Sequence, residues 1–297
     1  MIRVADLWKT FGRYDALRGL SFEVQEGSAL ALIGANGAGK TTTIKILMNI
    51  LKPSRGMATV LGVDSRAISP RELTQIGYVS ENQEMPGRLT VDEYLDYLRP
   101  FYPRWDKGLE TLIRHQLFLP PDRKISDLSH GMRMKMALAC ALPYRPRLLI
   151  LDEPFSGLDP LVRDEFMEGL LQQAGEMTIL MSSHDLGEID GVATHVTLLD
   201  QGRLLFEERM DELMDRFREV RVTLEREQRV PERPPKSWLQ LRTAGNVLTF
   251  VDTQFSEEDL GDQVRGLFDG VRTIDAQPMT LRFIFTTLAR SARNGSG

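Results

Sequence analysis

The sequence predicts an α/β fold in which a mostly parallel sheet is covered by helices on both faces. Three short apolar segments are predicted buried strands, Ala29–Ile33, Leu148–Leu151 and Thr178–Ser182, and the second of them carries the prediction of a parallel sheet. Strands that are buried on both faces are apolar along their whole length rather than alternating. Ligands of such sheets bind beyond the carboxyl ends of the strands. The segments that follow these strands are therefore the first candidates for a functional site.

The segment that follows the first strand is a phosphate-binding loop. Its sequence, Gly-Ala-Asn-Gly-Ala-Gly-Lys-Thr, fits the pattern G-x-x-x-x-G-K-[ST]. Glycines let backbone N–H groups approach phosphate oxygens, and a predicted helix over Thr41–Leu51 presents its N-terminus to the same anion. We expect Lys40 to pair with the β and γ phosphates, Thr41 to ligate magnesium and Thr42 to bond near the α phosphate. The predicted ATP contacts are Gly34, Ala35, Asn36, Gly37, Ala38, Gly39, Lys40, Thr41 and Thr42.

The second apolar strand ends in two carboxylates, Asp152 and Glu153. Because neighbouring side chains of a strand point in opposite directions, the two acids can serve different purposes. We expect Asp152 to face magnesium and Glu153 to face an attacking water. An Asp-Glu pair at a strand end is by itself an ordinary solvated turn, but the phosphate loop in the same chain favours the catalytic role.

Two further segments complete an ordered series of four. Leu128–Met132 contains Ser129, a good N-cap for a helix over Gly131–Leu142. Ser182–Asp185 ends the third apolar strand and places His184 where it can reach the γ phosphate. Alone, a capping serine and an exposed histidine would need no functional role.

In this order, the four segments resemble those of the ATP-binding subunits of ABC transporters, from Met1 to about Glu208. The resemblance implies an α/β phosphate-loop NTPase fold with a mostly parallel sheet, an antiparallel β layer and an inserted helical subdomain. Leu128–Met132 is similar to the family signature Leu-Ser-Gly-Gly-Gln, which contacts the ATP held by a partner subunit. The residues with this implied contact are Ser129, His130 and Gly131.

The resemblance also implies roles for single residues. His184 is similar to the family's switch histidine, and Asp159, in the D-loop segment Phe155–Asp159, is similar to the residue that contacts the opposite subunit. Phe11 occupies the family's aromatic position, where a ring stacks on adenine. Tyr14 is the alternative, and either ring could instead be a core residue.

The sequence departs from the family pattern in the Q-loop and in the signature. Glu81 stands where the Q-loop has glutamine, while His130 and Met132 replace the first glycine and the glutamine of the signature. Glu81 still offers an oxygen ligand to magnesium, as does the nearby Gln83. His130 could donate to the γ phosphate and titrate near neutral pH, or face the solvent. We expect His130→Gly to leave hydrolysis within a few-fold of the wild-type rate.

These roles predict an ATPase that forms a head-to-tail homodimer, or pairs with a similar subunit, around two ATP molecules. Lys40, magnesium and His184 would neutralise the γ phosphate while Glu153 orients or deprotonates water. Hydrolysis would reopen the dimer and drive a separate integral membrane permease. Resemblance of Phe101–Asp106 and of the C-terminal tail to bacterial exporter-type (ABC-2-like) ATPases favours an exporter. The alternatives are a soluble ABC-type ATPase without a transport role and a hydrolysis-poor, nucleotide-dependent sensor.

Composition restricts the classes of ligand and the cellular location that we expect for the protein. A formal net charge of -5 argues against nucleic acid as the main ligand. The sequence has no apolar run long enough to cross a bilayer, and no charged-then-apolar leader precedes Ile2–Val4, so we expect no signal peptide. The lone Cys140 fits a small buried residue in a reducing compartment. We expect a peripheral protein on the cytoplasmic face of the inner membrane.

The predicted ATP-binding domain covers residues 1–208. Leu17–Val24 and Ser28–Ile33 are expected to form its antiparallel layer, and helical periodicity from about 85 to 146 predicts the helical subdomain. This subdomain includes the aromatic stretch Phe101–Asp106. Its rings could contact a membrane subunit or pack in the core.

A connecting helix over 209–219 is predicted to lead to an accessory α+β unit over 220–292, and 293–297 is expected to be disordered. Gly245-Asn246 predicts a hairpin, and Ser256 is the expected N-cap of the following helix. The predicted strands are Val220–Leu224, Trp238–Thr243, Val247–Asp252 and Val271–Ala276, and the predicted helices end at Glu219, Phe268 and Ala289. The unit shows no catalytic constellation, so we expect it to serve dimer stability or coupling.

Overall fold

A computed structural model describes residues 1–175, 177–189, 191–231 and 233–294 of the chain. The chain divides into two compact units, the first spanning Met1–Glu207 and the second beginning at Glu208. Within the described ranges, no helix is long and apolar enough to cross a membrane.

The first part of the chain contains both strands and helices. The strands are β1 Ile2–Phe11, β2 Tyr14–Val24, β3 Ala29–Ile33, β4 Arg55–Val60, β5 Val63–Asp64, β6 Ile76–Ser80, β7 Leu148–Asp152, β8 Thr178–Ser183, β9 His195–Asp200 and β10 Arg203–Arg209. The helices are α1 Lys40–Leu47, α2 Pro70–Leu73, α3 Val91–Leu98, α4 Lys107–Gln116, α5 His130–Ala141 and α6 Pro160–Ala174.

A six-stranded sheet with the order β10-β9-β3-β8-β7-β6 forms the centre of the first unit. β3 is parallel to β8 and β9, and β7 is parallel to β6 and β8. Every residue of β7 and β8 is buried, as expected for strands that are covered on both faces. The carboxyl ends of these parallel strands meet at one edge of the sheet, which is where the predicted site residues follow them.

A second, antiparallel sheet has the order β2-β1-β4-β5. The prediction for this layer is half right, because β2 belongs to it but β3 lies in the parallel sheet. Gly27, with a φ of 75°, turns the chain between the two layers. Burial explains the difference: β3 is almost wholly buried, whereas β2 mixes buried, half-buried and exposed residues along its length.

The helix after the phosphate loop is shorter than predicted. α1 ends at Leu47 rather than Leu51, and Asn49 adopts the left-handed conformation with a φ of 58°. The amides of Ile50 and Leu51 both donate to the carbonyl of Lys45. Asparagine is one of the few non-glycine residues that readily ends a helix in this conformation.

The aromatic stretch in the helical subdomain divides between packing and exposure. Tyr102 stacks on Tyr144 with ring centroids 4.0 Å apart, and the Trp105 indole donates to the buried Glu110 carboxylate. Phe101, by contrast, is 58% exposed. Tyr102 and Trp105 therefore pack within the subdomain, whereas contact of this stretch with a membrane subunit stays a prediction. Cys140 is buried in α5, as predicted.

The second unit is a small α+β structure. Its strands are β11 Arg218–Leu224, β12 Trp238–Ala244, β13 Val247–Asp252 and β14 Val271–Pro278, and its helices are α7 Met210–Arg216, α8 Glu257–Leu267 and α9 Leu281–Asn294. The antiparallel sheet has the order β12-β13-β11-β14. Val220, Val222 and Phe250 pack with Leu260 and Val264 of α8 in its core. The predicted hairpin is confirmed, with Gly245 at a φ of 60°.

Two predicted boundaries at the ends of this unit differ from those in the structure. The connecting helix predicted over 209–219 ends at Arg216, and β11 already begins at Arg218. The last helix runs to Asn294 rather than Ala289, so the first residues of the predicted disordered tail are helical. Ala and Arg, both strong helix formers, are frequent there. Glu232 of the predicted linker and residues 295–297 lie outside the described residues.

Candidate active site

The phosphate loop connects β3 to α1 in a conformation that requires glycine. Gly39, immediately before the helix, has a φ of 108°, which side chains of other residues rarely permit. A Cβ on Gly34 would lie 2.5 Å from the carbonyl oxygen of Leu199. The glycine pattern therefore reflects both backbone conformation and close approach to the next strand of the sheet.

Lys40 joins the loop to the end of β7. Its side chain is 4% exposed, and Nζ donates to the carbonyl of Gly34 at 2.6 Å and to that of Ala35 at 3.3 Å. The same ammonium group lies 2.9 Å from Oε1 of Glu153. A buried charge requires such partners, so Lys40 fixes the loop and the carboxylate relative to each other.

Asp152 is the last residue of β7 and is 4% exposed. Its Oδ1 accepts hydrogen bonds from Thr41 Oγ1 at 3.0 Å and from Ser182 Oγ at 2.7 Å. Burial raises the pKa of Asp152, and the two hydroxyl donors oppose this increase. The structure thus brings Thr41 and Asp152, two of the three residues predicted to ligate magnesium, into direct contact.

Glu153 lies outside the strand, in the left-handed conformation with a φ of 51°. Its amide donates to Ser182 Oγ at 3.0 Å. The two acids therefore do point to different partners, but the predicted reason, alternation along a strand, is wrong. The backbone turn after β7 separates them instead.

His184 follows β8 and contacts the same carboxylate. Its Nδ1 lies 2.7 Å from Oε2 of Glu153, and the imidazole is 41% exposed. The hydrogen bond with Glu153 raises the pKa of His184 above its usual value of 6.5. Glu153 is therefore held between Lys40 on one oxygen and His184 on the other.

A cavity of about 410 Å³ opens over the phosphate loop, within the size range of small-molecule sites. The residues that line it are Phe11, Tyr14, Ala16, Asn36, Gly37, Gly39, Lys40, Thr41, Thr42, Glu81, Asn82, Asp152 and Glu153. Phe11 and Tyr14 are both exposed, so neither is the core residue considered as an alternative. Tyr14 donates to the carbonyl of Gly37, which brings its ring to the loop itself.

The signature segment lies elsewhere. Ser129 caps α5, as predicted, by accepting a hydrogen bond from the amide of Met132 at 3.2 Å. A Cβ on Gly131 would lie 2.7 Å from Val162 of α6, so this glycine permits close packing of the two helices. Asp159 caps α6 by accepting from the amide of Val162. Of the residues that the structure describes, those lining the cavity do not include this segment.

Two of the three residues that depart from the family pattern, His130 and Glu81, contact the same residue, Ser156. His130 Nε2 lies 3.0 Å from the carbonyl oxygen of Ser156, a contact that neither expectation for this residue included. Glu81 Oε1 accepts from Ser156 Oγ at 3.0 Å. No role is predicted from the sequence for Ser156, for Ser182 or for the cavity residue Asn82. Their positions beside predicted site residues are the only signal that the sequence contains.

The loop, the buried lysine and the paired carboxylates at one sheet edge define a nucleotide-binding protein of the phosphate-loop class. The family described as ABC transporter matches residues 17–156. The uncharacterized ABC transporter ATP-binding protein YhaQ of Bacillus subtilis is 28% identical over 96% of this chain and 97% of its own length. The daunorubicin resistance ATP-binding protein DrrA2 of Streptomyces coeruleorubidus is 35% identical over 71% of this chain and 68% of its own length.

Among solved structures, an ATP-binding subunit of an ABC transporter is similar with a TM-score of 0.66. It is 29% identical and covers 72% of this chain and 92% of its own. The chain belongs to the ABC transporter family of ATP-binding proteins. The predicted family and its α/β ATPase fold are confirmed.

We expect Asp152→Asn to stabilise the protein. Because the pKa of Asp152 is raised, its ionised form costs stability above that pKa, and the cost disappears as the carboxyl protonates at lower pH. Asparagine keeps an oxygen acceptor for Thr41 and Ser182 without the charge. Urea unfolding at neutral pH should give a free energy of unfolding roughly 0.5 to 2 kcal/mol higher than wild type, with the gain shrinking in acid. Lower stability at neutral pH would contradict this, and the exposed Asp164→Asn is the control.

We expect Glu153→Gln to lower the pKa of His184, because a neutral amide no longer favours the imidazolium. In the wild type, the hydrogen bond between His184 and Glu153 stabilises the folded protein fully below pH 6.5. This stabilisation is lost as the pH rises through the raised pKa of His184. Titration of the ring Cε1–H signal by NMR measures the shift, with the other histidine signals as internal controls. An unchanged midpoint would show that Glu153 does not set the pKa.

Proposed function

We propose that this chain is the ATP-hydrolysing subunit of an ABC exporter, which binds ATP in the cavity over the phosphate loop and drives a separate membrane permease. The observation that carries the proposal is the position of Glu153, held between Lys40 and His184 beside the loop. A carboxylate, an ammonium group and an imidazole thus lie together, and a γ phosphate held by the loop would lie beside them.

The two ends of the cavity suit the two ends of ATP. At one end, the loop amides and the N-terminus of α1 favour phosphate. At the other end, Phe11 and Tyr14 offer exposed rings on which adenine can stack. Base stacking on an aromatic ring is worth about 1 to 3 kcal/mol.

Magnesium fits the oxygen groups beside the loop. Thr41 and Asp152 approach to 3.0 Å, and Glu81 lies on the wall of the same cavity. Hydroxyl and carboxylate oxygens are the ligands that this hard cation accepts, together with phosphate and water. Bound there, it would neutralise phosphate charge.

The residues around Glu153 account for the chemistry. A γ phosphate would draw Lys40 and His184 toward its own oxygens, because both groups donate hydrogen bonds that an anion accepts. Glu153 would then be free to orient or deprotonate the attacking water, while the cationic groups stabilise charge in the transition state.

The signature segment supports pairing with a second subunit, either the same chain or a similar ATPase. Ser129 is exposed at the start of α5, and Asp159 is exposed at the start of α6. Both helix starts thus face outward, where a partner's phosphates can meet the free amides of α5. A head-to-tail dimer would complete each cavity with the signature of the other copy.

Coupling to a permease is supported by exposed aromatic rings in the helical subdomain. Tyr97 and Phe101 contact each other edge to face, with centroids 5.5 Å apart, and both are more than half exposed. Exposed aromatic clusters are typical of interaction surfaces. The name of the relative DrrA2, a resistance protein, favours export. The chain would then lie on the cytoplasmic face of the inner membrane without crossing it.

Glu153→Gln tests this proposal. The variant should lose nearly all phosphate release, by roughly 100-fold or more, because the amide cannot take a proton from water. It should also accumulate as an ATP-bound dimer, detectable by size-exclusion chromatography with light scattering. Glu168→Gln, a change in α6 outside the cavity, is the control. A wild-type rate in Glu153→Gln would refute the catalytic assignment.

The permease is tested separately. The chain should co-purify from solubilised membranes with an integral membrane protein, whose presence should alter the hydrolysis rate. Full activity without a membrane partner would favour the soluble ATPase, and ATP binding without hydrolysis would favour the sensor.

A further inference from the structure

Ser156, in the D-loop, is hydrogen-bonded through its amide, its hydroxyl and its carbonyl. Its amide donates to the carbonyl of Glu153 at 3.3 Å. Its hydroxyl donates to Glu81 Oε1 at 3.0 Å, and its carbonyl accepts from His130 Nε2 at 3.0 Å. One residue therefore connects the end of β6, the turn after β7 and the start of α5.

The contact of His130 is specific to its side chain. Because a carbonyl oxygen only accepts, Nε2 must carry the proton. The ring also lies over Gly157, where an added Cβ would meet its Cδ2 and Nε2 at 3.7 Å. Gly157 has a φ of 68°, so the chain turns beneath the ring. The imidazole thus both packs on the D-loop and donates to it.

The bond to Glu81 has a different chemical character. A carboxylate that accepts from a hydroxyl makes a charge-assisted hydrogen bond, stronger than one between neutral groups. Glu81 also lines the ATP cavity. The D-loop is therefore tied to the cavity on one side and to the signature helix on the other.

We propose that His130 is a positioning residue that couples the two ATP sites of the dimer through Ser156. This inference rests on the proposed function, in which Ser129 and Gly131 meet the partner's ATP. His130 lies between these two residues in the sequence. The contact of Ser129 and Gly131 with the partner's ATP would therefore act directly on the residue that is hydrogen-bonded to Ser156. Ser156 in turn contacts Glu81 and the backbone of Glu153 in the chain's own site.

The packing of α5 makes this coupling mechanical. At its start, α5 packs closely on α6, because a Cβ on Gly131 would lie 2.7 Å from Val162. The hydrogen bond of His130 gives a displacement of the signature a direct route to the D-loop. A glycine at position 130 would leave the D-loop without this hydrogen bond.

The first test is the dependence of hydrolysis on ATP concentration. Two coupled sites allow a Hill coefficient of up to about 2, and we expect the wild type to exceed 1. His130→Gly should lose a few-fold in rate and fall to a Hill coefficient near 1. His130→Ala should behave likewise, which separates the lost hydrogen bond from added backbone freedom. His130→Gln, whose amide nitrogen can occupy the place of Nε2, should restore cooperativity. A Hill coefficient unchanged in both His130→Gly and His130→Ala would overturn the inference.

The second test avoids hydrolysis altogether. In the Glu153→Gln background, the ATP concentration for half-maximal dimerisation should rise about three- to tenfold with His130→Gly and recover with His130→Gln. Equal midpoints for His130→Gly and its parent would overturn this inference alone. Failure of Glu153→Gln itself to dimerise with ATP would overturn the proposed function, and this inference with it. Thermal unfolding of each variant should show a common midpoint, and a loss of folding that Gln does not rescue would count against a positioning role.

Discussion

The ion pair between Lys40 and Glu153 is the interaction on which the arrangement of this site depends. An ammonium group that is 4% exposed must have its donors satisfied inside the protein. Lys40 meets this requirement with two loop carbonyls and one carboxylate, so the loop closes around it and the turn after β7 is drawn toward it. The position of His184 follows, because it binds the other oxygen of the same carboxylate.

Two adjacent acids with different surroundings divide the work at the sheet edge. Asp152 accepts from hydroxyl groups and is almost wholly buried, whereas Glu153 lies among groups that carry or can carry positive charge. Such separate environments are how one site gives neighbouring carboxylates distinct roles. The hydroxyls of Thr41 and Ser182 lie on the side of Asp152, which is rich in oxygen atoms. Lys40 and His184 lie on the side of Glu153, where we propose that hydrolysis takes place.

The parts of the fold that were predictable are those set by short-range patterns. The glycines of the phosphate loop, the apolar strand before Asp152 and the cap at Ser129 each carry their reason within a few residues of sequence. Assignments that depend on distant partners were not predictable in this way. The placement of β3 in the parallel sheet, for example, depends on pairing with β8 and β9.

The same limit explains what was missed in the site. Ser182 supports Asp152 and Glu153 only because β8 lies beside β7. The sequence offers His130 as a phosphate donor or as a solvated residue, whereas its contact with Ser156 joins segments that the sequence does not connect. Residue types reveal possible chemistry, but the partner of each group is set by the tertiary fold.

The left-handed backbone of Glu153 has a consequence for how this site persists. A non-glycine residue in that conformation costs about 1 to 2 kcal/mol, so glycine would be the residue best suited to the turn itself. The ion pair with the buried Lys40 opposes that preference, because glycine would leave the ammonium group without a charged partner. The turn therefore combines an acidic side chain that the lysine requires with a backbone conformation that the same residue adopts only at a cost.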